Sequence, residues 1–207
     1  MLFFVFLHLK MQNTTTMYTS FEMAQHSAQV FSPLSVESIR ALSGIIFKRK
    51  FKKGDIVLEE GAVCRSMLIV EKGLLRQYYF KHDRDLTEHI SYEDGLIICI
   101  ESYFREEPTK IIIEALENAI IWAIPKEQFE SLAYSNPEIG LLYRKLLEWS
   151  LIESQVKADC LRFESASDRY MKLLQRHPEI VKRTPLVYIA SLLQMTPETL
   201  SRVRAGK

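Results

Sequence analysis

The sequence predicts an α+β chain in three parts: an N-terminal β jelly roll (a double-stranded β-helix), a long dimerisation helix, and a C-terminal helix-turn-helix lacking a full wing. Three observations predict it. Between Ile46 and Ile124 run eight short β-rich stretches punctuated by turn residues, the rhythm of an antiparallel sandwich or jelly roll. From Glu138 to Phe163 the chain carries apolar residues at helical spacing and no proline, which reads as one long helix. The end of the chain, LVYIASLLQMTPETLSRVRAGK, breaks that period: Ile189, Leu193, Met195, Leu200 and Val203 fall at the buried positions of two short crossing helices, with small Ala190 at the crossing.

In chain order, residues 1–20 read as a dispensable extension. MLFFVFLHLK opens with seven apolar residues, far short of the ~18 to 20 that span a bilayer, and no basic segment precedes them as in a secretory signal. No membrane partner follows, and a cytoplasmic location is expected. Met11, Met17 and Met23 are alternative starts, and a chain begun at Met17 is expected to fold. Residues 21–135 read as a sensor domain: a helix opened by the Ser35 cap and running to Leu42, then IIFKRKF, DIVLEE, SMLIVEKG, LLRQYYF, LTEHISY, LIICI, TKIIIEALE and AIIWAIP. Gly54, Gly61, Gly73, Asp83, Gly95 and Asn118 mark the turns. Two such layers can enclose a small-molecule pocket.

Residues 136–163 form the long helix, about 40 Å at 1.5 Å per residue. Ile139, Leu142, Leu146, Trp149, Val156, Cys160 and Phe163 keep a heptad spacing interrupted only at Glu153, so this seam is expected to meet a partner in a parallel homodimer. A second stripe, Tyr143, Leu147 and Leu151, is expected to face the β domain. Residues 164–207 begin with a capped helix, Ser165 to Gln175; Pro178 and Pro185 then bracket a short connection. The last helix announces its start with Thr196 as N-cap, Pro197 at the first helical position and Glu198 in the positive first turn. The turn before it places Gln194 where glycine is usual, at a cost of roughly 1 kcal/mol if the backbone there is left-handed.

The exposed face of that helix carries Glu198, Thr199, Arg202, Arg204 and Lys207, groups suited to base edges and phosphates. Charge agrees. The chain carries a net +1, but residues from Arg162 onward hold +5 against −4 on the rest, a basic end on an acidic body. The three cysteines, Cys64, Cys99 and Cys160, are far apart and form no C-x-x-C pair, which argues against a disulfide framework or structural zinc. Each reads as a small core residue. His82 and His89, near Asp83, Asp85 and Glu88, match no metal spacing and read as a solvated turn. No cofactor, metal site or catalytic residue is expected. The glycines are too widely spaced for a phosphate-cradling loop, and there is no G-x-S-x-G elbow.

With these elements in order, residues 30 to 207 resemble the Crp/Fnr family of bacterial transcription regulators. The likeness rests on FKKGDIVLEEGAVCRSMLIVEKGLLRQYYF, with Gly54, Gly61 and Gly73 placed as in that family's cyclic-nucleotide-binding-like β roll, and on IASLLQMTPETLSRVRAG. The resemblance implies a homodimer on a palindromic double-stranded DNA operator, with two recognition helices about one turn, ~34 Å, apart. A small-molecule effector and RNA polymerase are the further partners it suggests. It maps the DNA contacts onto Thr196, Glu198, Thr199 and Arg202: Thr196 to phosphate, Glu198 to a cytosine amino group or to Arg202, and Arg202 to guanine.

Two departures limit what carries over. Cyclic-nucleotide binders of the family hold ribose and phosphate with a Gly-Glu and an Arg-Ser pair; here the stretch reads GLIICIESYFREEPTKIIIEA, leaving Glu101, Thr109 and Lys110 as the candidate ligand contacts and making gating by cyclic AMP or GMP an unfavoured reading. A cysteine cluster for an iron–sulfur centre is missing, whereas haem is left open. The chain also stops at Lys207 without the β-hairpin wing. The alternatives are a cupin-like metal enzyme on the same jelly roll, for which no H-x-H is present, and a ligand-sensing scaffold that does not bind DNA.

Overall fold

Residues 18–82 and 84–206 are described in a computed structural model of the chain. The extension expected up to residue 20 therefore lies almost wholly outside the described residues, as do Asp83 and Lys207. The first element is a helix that the sequence reading did not anticipate, α1 (Ser20–Phe31), opened by a capping box in which the Thr19 hydroxyl accepts the Glu22 amide while the Glu22 carboxylate accepts the Thr19 amide. Met23 and Ala24 are fully buried on its inner face. The α2 helix (Val36–Ser43) follows with its Ser35 cap, as expected.

All eight predicted β runs become strands: β1 (Phe47–Phe51), β2 (Ile56–Leu58), β3 (Ser66–Lys72), β4 (Leu75–Lys81), β5 (Arg84–Ser91), β6 (Leu96–Ile97), β7 (Ile112–Ala115) and β8 (Ala119–Pro125). They form two four-stranded antiparallel sheets, ordered β1-β8-β3-β6 and β2-β7-β4-β5. Non-sequential neighbours across two layers make a roll rather than a meander. The run LIICI is split, because its last residue opens a short helix, α3 (Ile100–Arg105). Gly73 shows how tightly the layers close: its φ is +102°, and a Cβ there would lie 2.7 Å from the Asn118 carbonyl in the turn between β7 and β8. Neither the turn nor that approach admits a side chain.

Beyond the sheets come α4 (Lys126–Ser135) and the long α5 (Pro137–Phe163), capped by Asn136 with Pro137 at its start. Gly140 lets the two helices cross closely, since a Cβ would stand 2.7 Å from the Ala133 carbonyl. The orientation of α5 departs in part from the expected one. Ile139, Leu142, Leu146, Val156 and Cys160 of the seam are buried within this chain, and Trp149 meets Phe31 edge-on at 6.3 Å. Of that seam only Phe163 is largely exposed, whereas Leu151, assigned to the β-facing stripe, is 72% exposed and Ile152 is 60% exposed. Tyr143 and Leu147 do lean on the core. A heptad spacing specifies that a stripe is buried, not what buries it.

The C-terminal part contains α6 (Ala166–Arg176), α7 (Pro178–Arg183), α8 (Leu186–Leu192) and α9 (Pro197–Arg204). The connection between Pro178 and Pro185 is thus largely helical. These helices are not hung on a linker: Leu74, Ile90 and Tyr92 of the roll share one apolar cluster with Tyr170, Leu173, Ile180, Ile189, Ala190, Leu193 and Leu200. This second cluster, distinct from the main core of the roll, spans the boundary expected at 163/164.

Candidate nucleic-acid interface and effector cavity

The α8–α9 pair has the geometry of a helix-turn-helix. Ile189, Ala190, Leu193 and Leu200 are buried between the helices and the roll. Gln194 has φ +50°, the left-handed turn that the sequence reading costed. Arg169 holds this turn: its Nε donates to the Leu193 carbonyl at 2.9 Å and its Nη1 to the Glu164 carbonyl at 2.7 Å. No local pattern singles out Arg169, because its partners in the turn, Leu193 and Gln194, lie 24 and 25 residues on.

Thr196 caps α9, its hydroxyl accepting the Thr199 amide at 3.1 Å and lying 3.2 Å from the Thr199 hydroxyl. That cap occupies one acceptor site of the oxygen expected to meet phosphate. Glu198, Arg202 and Arg204 are exposed, Thr199 is half-buried, and Glu198 and Arg202 stand one turn apart on the outer face. The carboxyl of Glu198 is held below its usual range by backbone and Thr196 hydrogen bonds and by the nearby Arg202 charge. Lys207 is outside the described residues.

The helix pair is docked against the outer edge of the second sheet. The edge strand β5 offers the Thr87 amide, which the Ser191 hydroxyl accepts at 2.8 Å; a covered edge is one that cannot pair elsewhere. Beside it the fully buried Arg76 guanidinium bonds Asp85 and Thr87 and lies between the rings of Tyr78 and Tyr188, 4.2 and 3.6 Å from their centroids. Burial lowers its affinity for a proton, an effect that Tyr188, Glu114 and Tyr78 counter only in part. Arg183 reaches Glu93 at 2.6 Å and Glu117 at 2.6 Å. Burial works against the Glu93 carboxylate, but its bonds from Arg183 and the Gly73 amide outweigh this and hold it in the charged form. In addition, the Tyr92 hydroxyl lies 3.2 Å from Nδ1 of His177.

A cavity of about 650 Å³ opens where the roll, α5 and the C-terminal helices meet. Its walls include Leu96, Ile98, Ile100 and Ile111 from the roll, Trp149 and Leu161 from α5, and Leu192 and Leu193 from the helix-turn-helix. The candidate contacts Glu101, Thr109 and Lys110 all line it. The cations at its wall are largely committed: Lys157 pairs with the Glu88 carboxylate and carbonyl, Arg169 is spent on backbone carbonyls, and Lys110 is exposed. His89, read earlier as part of a solvated turn, stands on strand β5 in this wall; burial, with the charges of Lys157 and His177, pushes its pKa down to about 3. The Trp149 indole nitrogen is buried with no hydrogen-bond partner among the described residues. Among those residues no three His, Cys, Asp or Glu side chains come together as a metal site, and no helix is long and apolar enough to cross a membrane.

A jelly roll joined by a long helix to a helix-turn-helix defines the class. Residues 48–136 match the cyclic nucleotide-binding domain family. The chain is similar in structure to FixK2 from Bradyrhizobium japonicum, with TM-score 0.64 and 16% identity over 78% of this chain and 84% of that one. It is similar to a protein described as a transcriptional regulator of the Crp/Fnr family from Eubacterium rectale, with TM-score 0.63 and 19% identity over 84% and 83%. A third similarity is to CLP, the c-di-GMP-responsive global regulator of Xanthomonas campestris, with TM-score 0.60 and 16% identity over 83% and 91%. A comparison with curated proteins finds no match. The chain thus contains a cyclic nucleotide-binding-type domain and has the fold of the Crp/Fnr transcription regulators.

Proposed function

We propose that the chain is a homodimeric, sequence-specific DNA-binding regulator of transcription, cytoplasmic and not an enzyme, with α9 as its recognition helix. The observation that carries this reading is an outward-facing α9, its cap closed by Thr196 and its Glu198 and Arg202 exposed, on a turn pinned by Arg169. Arg202 would read guanine, Glu198 would accept from cytosine or orient Arg202, and Thr196, Thr199, Arg204 and Lys207 would serve phosphate and neighbouring contacts. Dimerisation would use the exposed face of α5, around Leu141, Leu151, Ile152 and Phe163, rather than the seam that the chain buries itself.

The cavity supports an effector other than a cyclic nucleotide. A buried phosphodiester needs a positioned cation, and Lys157 and Arg169 are engaged while Glu101, Glu107 and Glu153 add negative charge to the wall. A largely apolar molecule with one acceptor for the Trp149 N–H fits better. Because its walls come from the roll, α5 and α8, occupancy would bias how the helix-turn-helix is held. The metal-enzyme alternative has no ligand set to rest on among the described residues.

The test is selection of bound fragments from random double-stranded DNA by the purified protein, followed by a salt titration on the enriched site. A palindrome with half-sites about one helical turn apart and a steep loss of affinity with salt is expected. No enrichment would overturn the reading.

A further inference from the structure

One guanidinium in the wall of the 650 Å³ cavity closes the ends of two helices. Arg169 stands near the start of α6, and its side chain donates to the Glu164 carbonyl at 2.7 Å and to the Leu193 carbonyl at 2.9 Å, with Nη2 3.5 Å from the Gln194 carbonyl. Glu164 is the C-cap of α5 and Leu193 the C-cap of α8, while Gln194 is the left-handed residue of the turn into α9. The last carbonyls of a helix have no donor within it, and a cation placed there satisfies them and the negative end of the helix together. Arg169 thus serves the end of the long helix and the turn of the helix pair at once. It is half-buried, and among the described residues no carboxylate forms an ion pair with it, so neutral carbonyls alone hold it in place. Leu193 lines the same cavity, as do Ser150 and Ser154 of α5.

We propose that Arg169 is the positioning residue through which the cavity acts on α9, a role that rests on the reading of α9 as the recognition helix. Without an occupant, the side chain has room to swing off the two helix ends into the cavity and be solvated there. An occupant removes that room and keeps the guanidinium on the carbonyls, which shifts the population toward the closed arrangement. Occupancy then stiffens the turn at 193–195 and fixes the angle at which α9 leaves it. The fork of a guanidinium is required, because its donors point in fixed, diverging directions toward acceptors on different elements, whereas an ammonium is a compact point charge. Nothing in this route requires the effector to touch α9 itself.

The test uses full-length protein and needs neither DNA nor an identified effector, because a side chain can stand in for the occupant. Ser150→Leu fills the cavity from α5, and Ser154→Leu does so from one turn further along if the first variant fails to fold. The amides of Leu193, Gln194 and Met195 bond the carbonyls of Ile189, Ser191 and Ala190, and their exchange reports the turn. It is followed by mass spectrometry in wild type, in the filled variant, in Arg169→Gln and in the two changes combined. Filling is expected to slow exchange at 193–195 about threefold or more when Arg169 is present and to leave it unchanged in Arg169→Gln, a non-additivity that a merely structural arginine would not produce. Arg169→Lys is expected to behave as Arg169→Gln does. An equal effect of filling with and without Arg169, no effect in either, faster exchange on filling, or full coupling through lysine would each overturn the proposal. Its failure is distinct from that of the DNA-binding reading: coupling in exchange without enrichment of any DNA fragment would sustain the role of Arg169 and remove α9 as a reader of bases.

Discussion

Arg202 and His89 illustrate two opposite settings for a basic side chain. Arg202 is an exposed cation on a helix whose inner face is locked, so removing it should alter recognition without altering the fold. Arg202→Ala is expected to lose about 1–3 kcal/mol on the selected site, with relaxed preference at one base pair, in gel-shift competition. Unchanged discrimination would remove Arg202 from the readout. His89 is the opposite case, a neutral imidazole in a cavity wall. Its folded pKa of about 3 lies below the unfolded value near 6.5. The unfolded chain therefore binds the extra proton first, and stability falls as pH drops from about 6.5 toward 3, by up to about 1.4 kcal/mol per pH unit. Denaturant titrations at pH 7 and 5 should show His89→Gln losing less stability than wild type over that interval. Equal losses would mean that His89 is not held neutral. The sequence exposes Arg202 through its position after a cap; it hides His89, whose environment depends on α5 and the C-terminal helices.

Among the elements, α5 gives the sharpest contrast between pattern and packing. Its limits, Asn136 cap to Phe163, follow from Pro137 at the first helical position and an apolar rhythm interrupted only at Glu153. Its facing does not. Ile139, Leu142 and Leu146 fill the roll's own core, and Val156 and Cys160 are buried further along. Leu146→Ala is accordingly expected to cost about 2–5 kcal/mol of stability, seen as a lowered denaturation midpoint. Ile152→Asp should leave that midpoint near wild type at low protein concentration while shifting the proposed dimer to monomer in analytical ultracentrifugation. The reverse pair of results would restore the heptad seam as the interface. Elements without strong periodicity went unread: α1, α3, α4 and α7 are short or weakly amphipathic, and tertiary contacts stabilise them more than their own sequence does.

For the whole molecule, the decisive feature is that roll and helix-turn-helix share a core and an ion-pair clamp. Arg183 joins Glu93, in the turn after β5, to Glu117, before β8, and all three are at most partly exposed. Arg183→Ala should leave two neighbouring carboxylates without their cation and loosen this joint. Faster amide exchange across 186–206, with little change in the strands of the roll, is the expected reading; uniform protection would show that the apolar cluster alone holds the domain. The sequence by itself determined the kinds and order of the parts: eight strands, a long helix, and a capped final helix with its cations outward. Those follow from local rules, namely side-chain period, turn chemistry and capping, which act over a few residues. Tertiary structure alone decided which stripe of α5 is internal and that Arg76, Arg169 and Arg183 fasten the C-terminal helices to the roll and to one another. Such contacts join residues from 24 to more than 100 positions apart, and no local period encodes a partner at that distance.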